Sequence, residues 1–179
     1  MPTREERLIE DVKRGGSEAK RLLYDTYAGA LYSVAMRYVG RRDVAEDMVH
    51  DSFIKVFRSF EGFSYRGEGS LKAWMVRITI NTSLEWLRAQ KRMGEIADLE
   101  GVEAEEEPTI SEVEQIPQEI LMRLIGELPD GYRTIFNLFC VEGYSHREIA
   151  KELGIKEKSS SSQLLRAKRL LASKIKAIL

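Results

Sequence analysis

Three carboxylates and an imidazole share one side of a helix that the sequence predicts over residues 44–60. At 100° per residue, four polar side chains fall on the same face: Asp43, Asp47, His50 and Asp51. These are ligand types for divalent metals. One helical face, however, offers only an open, incomplete coordination shell, and no second acidic motif with ligand-like spacing appears on another helix. We therefore expect no metal and no cofactor.

The same face carries an apolar residue among its acids, Ile54. The opposite side of the helix is an apolar stripe that predicts a core: Ala45, Val49, Ser52, Phe53, Val56 and Phe60. We call Asp47, His50, Asp51 and Ile54 the acidic face. It is either a protein-docking surface with an apolar centre or a solvated face with one exposed isoleucine.

Catalytic motifs are missing from the sequence. No glycine-rich phosphate loop precedes a Lys-Ser/Thr pair, and no serine or cysteine nucleophile has a plausible base. Cys140 is the only cysteine, which excludes an internal disulfide and a cysteine zinc cluster. We expect no enzyme and no small-molecule substrate, and we interpret His146 as solvent-facing.

Aromatic and basic residues occupy a glycine-rich loop, residues 61–69. Phe63, Tyr65 and Arg66 lie between its glycines, a composition that suits stacking on an unpaired base. The alternative is that Phe63 and Tyr65 pack into the core beneath the loop.

A long helix is predicted after this loop, from Ser70 to about Arg92. Its predicted buried stripe is Ala73, Val76, Ile80, Leu84 and Leu87. Beside it runs what we call the arginine row: Trp74, Arg77, Asn81, Arg88 and Arg92. Guanidinium groups suit phosphates and an amide suits a base edge, so the row indicates a nucleic-acid surface; a solvated amphipathic helix is the alternative.

The C-terminal residues predict a helix-turn-helix. Ser145 and Glu148 have capping-box spacing, Gly154 ends a short helix, and a last helix begins near Glu157 or Lys158. Its predicted core side is Leu164, Ala167, Leu171, Ile175 and Ile178, and its outward side is Lys158, Ser162, Arg166 and Arg169. Hydroxyls and cations on an outward face are typical of a recognition helix.

Helix signals dominate elsewhere too. Ser17 is predicted to cap a helix that ends near Gly40, Asp43 to cap the next, and Pro117 and Pro129 to precede two more. Few alternating β-branched runs occur. The expected fold class is therefore all-α.

The distribution of charge along the 179 residues predicts two helical domains. Lys and Arg number 28 against 29 acids, yet no base falls between Glu95 and Glu119. Like-charge blocks tend to stay unfolded. We predict domains at 1–93 and 117–179, joined by a flexible acidic linker at 94–116. The sequence lacks a signal-peptide core and any apolar run of about 20 residues, so we expect a cytoplasmic protein without membrane insertion.

Four motifs, taken in order, resemble the bacterial RNA polymerase sigma factors. They are the run 45–53, the helix from Trp74 to Asn81 followed by Arg88, the pair Leu128-Pro129, and the segment 148–155. With no domain between the two helical modules, the layout resembles the extracytoplasmic-function (ECF) subfamily of the sigma-70 family.

The resemblance implies partners and roles for these positions. The acidic face would dock on the β′ clamp of core RNA polymerase, and the second domain would meet the β flap. Loop 61–69 and the arginine row would bind and melt the −10 promoter element. The last helix would read the −35 element through Lys158, Ser159, Ser161, Ser162, Gln163 and Arg166, with Lys168 and Arg169 at phosphates. An anti-sigma factor is a further partner known for the family, although no residue here identifies one.

One departure from the family bears on DNA reading. Residues 159–163 read Ser-Ser-Ser-Ser-Gln where relatives usually have Thr-Val-Lys-Ser-Arg. Ser160 replaces a packing valine, which predicts a less firmly started helix. The alternative function is a stand-alone helix-turn-helix regulator with an N-terminal sensing domain, which would bind its site tightly without polymerase.

Overall fold

The computed structural model describes residues 1–90 and 115–178. Regular structure in these two stretches is helical, without strands, as the predicted all-α class requires. The chain divides into two compact units, Met1–Trp86 and Leu87–Leu179. None of the helices in the described stretches has both the length and the apolar composition needed to span a bilayer. Most of the predicted linker lies outside the described residues.

The first unit is built from four helices. They are α1 (Arg4–Lys13), α2 (Ser17–Val39), α3 (Arg42–Ser59) and α4 (Ser70–Ala89), whose last turn passes the unit boundary, and a 3-10 turn at Phe60–Gly62 follows α3. The sequence prediction missed α1, although Thr3 and Glu6 form a capping box at its start.

The predicted caps of α2 and α3 are wrong by one or two residues. Gly16 and Arg41 are the N-cap residues, without a side-chain cap bond, and Ser17 lies inside α2. Asp43 lies in the first turn of α3 and receives a hydrogen bond of 2.6 Å from Arg41. A carboxylate in a first turn still stabilises the helix through the helix dipole.

The core of the first unit confirms the predicted stripe of α3, all six residues of which are buried. The predicted stripe of α4 is partly wrong, because Ala73 is exposed and Val76 is half-buried. Met75 and Thr79 face the core instead, with Ser83 on the same side. The hydroxyls of Thr79 and Ser83 donate to helix carbonyls four residues earlier, at 3.0 and 2.9 Å, so they can be buried at little cost.

The second unit contains the predicted helix-turn-helix. Its helices are α5 (Gln118–Gly126), α6 (Asp130–Phe136) followed by a π-helical turn (Asn137–Val141), α7 (His146–Leu153) and α8 (Glu157–Lys176). An apolar cluster joins α5 to α8: Ile116, Leu124, Ile125, Leu128, Leu171 and Ile175. Ile178 lies beyond the end of α8 and is 46% exposed, so its predicted core position is wrong.

Both ends of α7 are capped as the sequence predicts. Ser145 Oγ accepts the Glu148 amide at 3.2 Å, and the Glu148 carboxylate accepts the Ser145 amide at 2.8 Å. Gly154 ends the helix with φ +67°, a left-handed conformation that favours glycine. These caps fix the turn between α7 and α8.

Replacing Ser145 with alanine should lower the free energy of unfolding of the second unit by about 1 kcal/mol, because the Glu148 amide loses its acceptor. Urea denaturation followed by circular dichroism measures the change. Ser145→Asp retains an acceptor and should remain near the parent value. An equal loss in both variants would show that the cap is not the cause.

Candidate functional site

The acidic face lies on the solvent side of α3. Asp47, His50 and Asp51 are exposed, and Ile54 is 48% exposed to solvent. The His50 ring stacks on Tyr24 of α2, with 6.2 Å between ring centroids and 30° between planes. The burial of the opposite stripe therefore turns all four residues outward together.

An open groove flanks the acidic face between α2 and α3. It has a volume of about 360 Å3, and its walls include Tyr24, Gly29, Tyr32 and His50. A Cβ at Gly29 would have no neighbour within 4 Å, so this side of α2 is open. His50 is the member of the acidic face that lines this groove, so the groove borders the face on its α2 side.

Asp43 lies one turn before the acidic face on α3 and is paired with Arg41. The hydrogen bond from Arg41 lowers the pKa of Asp43, so that carboxylate stays charged. Throughout residues 1–90 and 115–178, no three His, Cys, Asp or Glu side chains group closely enough to hold a metal ion.

Three aromatic rings meet under the glycine-rich loop. The Trp74 ring lies 4.8 Å from Phe63 at 38° and 5.8 Å from Phe60 at 77°. Phe63 is only 6% exposed, so its prediction as a base-stacking residue is corrected to a core role. Trp74 and Tyr65 are half-buried and Arg66 is exposed. Phe63 thus supports Trp74 from below.

The arginine row follows Trp74 along α4. Arg77 and Arg88 are exposed and Asn81 is half-buried, while Arg92 lies outside the described residues. Lys55 of α3 pairs with Glu85 at 2.6 Å and links the two helices. The described members of the row therefore lie on one helix that is held to the core.

The outer face of α8 presents the residues expected at base edges. Lys158, Ser161, Ser162 and Arg166 are exposed; Ser159, Gln163, Lys168 and Arg169 are half-buried. Ser161 and Ser162 donate their hydroxyls to the carbonyls of Lys158 and Ser159, at 3.0 and 3.1 Å. In this conformation both hydroxyls can still accept a hydrogen bond from a base.

His146 and Ser160 form a contact that the sequence prediction missed. Ser160 is fully buried, and its Oγ lies 3.0 Å from His146 Nδ1. The imidazole stacks on Phe139 with 4.6 Å between centroids and 22° between planes. The solvent-facing interpretation of His146 is therefore wrong, and Ser160 gains a polar partner where a packing valine would have none.

Two family models match most of the described chain. The model described as Sigma-70 region 2 matches residues 23–93, and the model described as Sigma-70, region 4 matches residues 118–171. The ECF RNA polymerase sigma-E factor of Haemophilus influenzae is 31% identical over 183 residues, covering 96% of this chain and 95% of that protein. The protein of the same name from Escherichia coli is 29% identical, covering 96% and 94%.

The chain belongs to the ECF subfamily of the sigma-70 sigma factors.

As a sigma factor it functions in transcription initiation. The glycine-rich loop and the arginine row fall inside the region 2 match, and α7 lies within the region 4 match. Helix α1 precedes both matched segments.

Two solved structures share the fold of this sigma factor. CnrH in complex with the cytosolic domain of CnrY has a TM-score of 0.50 at 21% identity, covering 95% of this chain and 96% of that one. RpoE of Bartonella quintana in complex with the anti-sigma factor NepR has a TM-score of 0.52 at 21% identity, covering 87% and 96%.

A double-mutant cycle tests the His146–Ser160 contact. His146→Ala and Ser160→Ala each remove one partner, and we expect a coupling free energy of about 1 kcal/mol between them. Thermal or urea unfolding of both single variants and the double variant measures it. His146→Ala combined with Ser161→Ala is the control, and those effects should add. An additive His146–Ser160 pair would contradict the contact.

Proposed function

We propose that the acidic face docks this sigma factor on the β′ clamp of core RNA polymerase. Charged residues around an exposed Ile54 match the usual anatomy of an interface, an apolar centre with a polar rim. The groove beside Tyr24 and Tyr32 gives the face a concave edge that would accommodate a side chain of the clamp. The second unit would contact the β flap.

We further propose that the glycine-rich loop and the arginine row bind the −10 element. Trp74 is held half-exposed by two core rings, and Arg66 and Arg77 are exposed near it in sequence. Tyr65 and Trp74 offer ring surface to a base, while Arg77, Arg88 and the predicted Arg92 suit phosphates. Asn81 offers an amide to a base edge. Flipping a base costs a few kcal/mol, which stacking and backbone contacts would offset.

The proposed −35 reader is the outer face of α8. Lys158, Ser161, Ser162 and Arg166 would approach base edges in the major groove, together with Ser159 and Gln163. Lys168 and Arg169 are half-buried, and they would reach phosphates with their charged ends. This assignment rests on the capping of α7 at both ends. The caps fix the turn that leads from α7 into α8.

Regulation and location follow from the same assignment. One structural relative is a complex with an anti-sigma factor, and we propose that a partner of this class also controls this chain. The predicted linker, 94–116, would let the two units separate for promoter binding. The protein would act in the cytoplasm, where polymerase and promoters are found, as a non-enzymatic specificity factor.

Run-off transcription over a promoter library tests the function as a whole. With core polymerase, the protein should start transcription at defined sites that share −10 and −35 elements. Without polymerase, it should bind the same duplexes weakly. Tight specific binding by the protein alone would instead favour the stand-alone regulator.

Replacing Asp47 and Asp51 with lysine should weaken core polymerase binding by about 100-fold, since like charges would then meet across the interface. Fluorescence anisotropy with labelled protein measures the affinity, and circular dichroism should show unchanged helix content. Glu10→Lys with Glu18→Lys is a matched control, because it makes the same charge change elsewhere on the first unit. Equal losses in both double variants would indicate a non-specific charge effect.

Replacing Arg166 with alanine should reduce transcription from −35-dependent promoters by about tenfold, the scale of one good base contact. Polymerase binding should be unchanged. Lys176→Ala, in the last turn of the same helix, controls for loss of a positive charge. If promoter choice stays the same in the Arg166 variant, that residue does not read the −35 element.

A further inference from the structure

Helix α1 contacts the glycine-rich loop through polar groups at three points. Lys13 Nζ donates to the Phe63 carbonyl at 2.9 Å, and the Gly69 amide donates to Glu5 Oε2 at 2.9 Å. The Thr3 and Tyr65 hydroxyls lie 3.4 Å apart. The partners are 50 to 64 residues apart in sequence, so these are tertiary contacts. Together they touch the beginning, the middle and the end of the loop.

The helix that makes these contacts is itself firmly held. Its N-terminus has a complete capping box, in which Thr3 Oγ1 accepts the Glu6 amide at 3.1 Å and the Glu6 carboxylate accepts the Thr3 amide at 2.6 Å. Ile9 and Val12 are buried in the core of the first unit. Helix α1 can therefore act as a fixed support.

The loop needs such a support because its own sequence is permissive. Gly67 and Gly69 have φ of +116° and +85°, conformations that glycine enters easily and leaves easily. The Arg66 amide of the loop donates to Oγ of Ser70, the first residue of α4, at 3.2 Å. The bonds from Glu5 and Lys13 add two charged partners, and charge-assisted hydrogen bonds are stronger than neutral ones.

Polar bonds, rather than close apolar packing, join α1 to the far end of the loop. Glu5 and Gly69 both line an open groove of about 1090 Å3, whose walls come from α1, the first half of α2, the end of the loop and the start of α4. Because Glu5 reaches Gly69 at this groove, losing its carboxylate would leave the end of the loop without that restraint.

We propose that α1 is a positioning element for −10 recognition, in which Glu5 and Lys13 hold the loop in the conformation that captures a base. This inference rests on the proposed function of the loop. The two side chains bind only backbone groups of the loop, through the Gly69 amide and the Phe63 carbonyl, so they act through its shape. A loop fixed in advance loses less entropy on capturing a base, which favours promoter melting.

The test uses the full chain with core polymerase and a duplex promoter. Glu5→Ala combined with Lys13→Met should reduce open-complex formation, measured by permanganate reactivity of the −10 thymines, by about five- to tenfold. Polymerase affinity should not change, and the first unit should remain folded at the assay temperature, although its thermal unfolding midpoint should fall by a few degrees with the loss of two hydrogen bonds. Glu10→Ala with Arg14→Met, an exposed ion pair between the last turn of α1 and its C-cap, is the matched control and should leave melting intact. Glu5→Gln combined with Lys13→Met keeps an acceptor for the Gly69 amide. It should recover most of the open-complex formation that Glu5→Ala combined with Lys13→Met loses.

A second template separates positioning from a general loss of structure. On a promoter with a pre-opened −10 bubble, assayed by run-off transcription, the defect of the Glu5/Lys13 variant should shrink to less than about twofold, because base capture no longer has to offset the cost of unpairing the duplex. An equal defect on both templates, or a defect matched by the control variant, would overturn the proposal. Arg66→Ala probes the loop itself. If it impairs melting and the Glu5/Lys13 variant does not, only the role of α1 fails; if it has no effect on −10 use, the loop assignment fails.

Discussion

The proposed docking face on α3 and the proposed DNA-reading face on α8 depend on one constraint: each is the exposed side of a helix whose opposite side is buried. On α3, the burial of Ala45, Phe53 and Val56 leaves Asp47 and Ile54 no orientation but outward. On α8, buried Leu164, Ala167 and Leu171 do the same for the polar side chains opposite. Hydrophobic burial therefore fixes where the charges lie, although charges would make the proposed contacts with polymerase and DNA.

A second constraint on the fold is that buried hydroxyl groups need hydrogen-bond partners. Ser160 is buried near the start of α8, and its hydroxyl faces the His146 imidazole. Thr79 and Ser83 bury hydroxyls in α4 by bonding to the helix itself. A buried hydroxyl without a partner would cost a few kcal/mol of stability. These three hydroxyl groups can therefore be buried only because each has a hydrogen-bond partner.

Local patterns in the sequence predicted most of the fold, and tertiary contacts account for the errors. The stripe of α3 and the caps of α7 follow from spacings of three to four residues, so both were predictable. Phe63 and His146 were misassigned because their partners lie outside that range: Phe63 packs on Trp74, and His146 meets Ser160 fourteen residues later. The predicted stripe of α4 is wrong where it includes Ala73 and leaves out Met75, Thr79 and Ser83, which the packing of the first unit turns toward the core. The contacts of α1 with the loop leave no sequence signal beyond the overlooked capping box.

The serine run gives the proposed −35 reader a particular balance of forces. Ser161 and Ser162 donate their hydroxyl protons to carbonyls of their own helix. In this conformation they can therefore accept hydrogen bonds from DNA but cannot donate them. Base-edge donors then come mainly from Lys158 and Arg166, whose attraction to DNA is largely electrostatic and weakened by salt. Such a module is expected to bind duplex weakly alone. Tethering to polymerase through the proposed acidic face would raise its effective concentration at the promoter, so weak reading by α8 would suffice once docking has occurred.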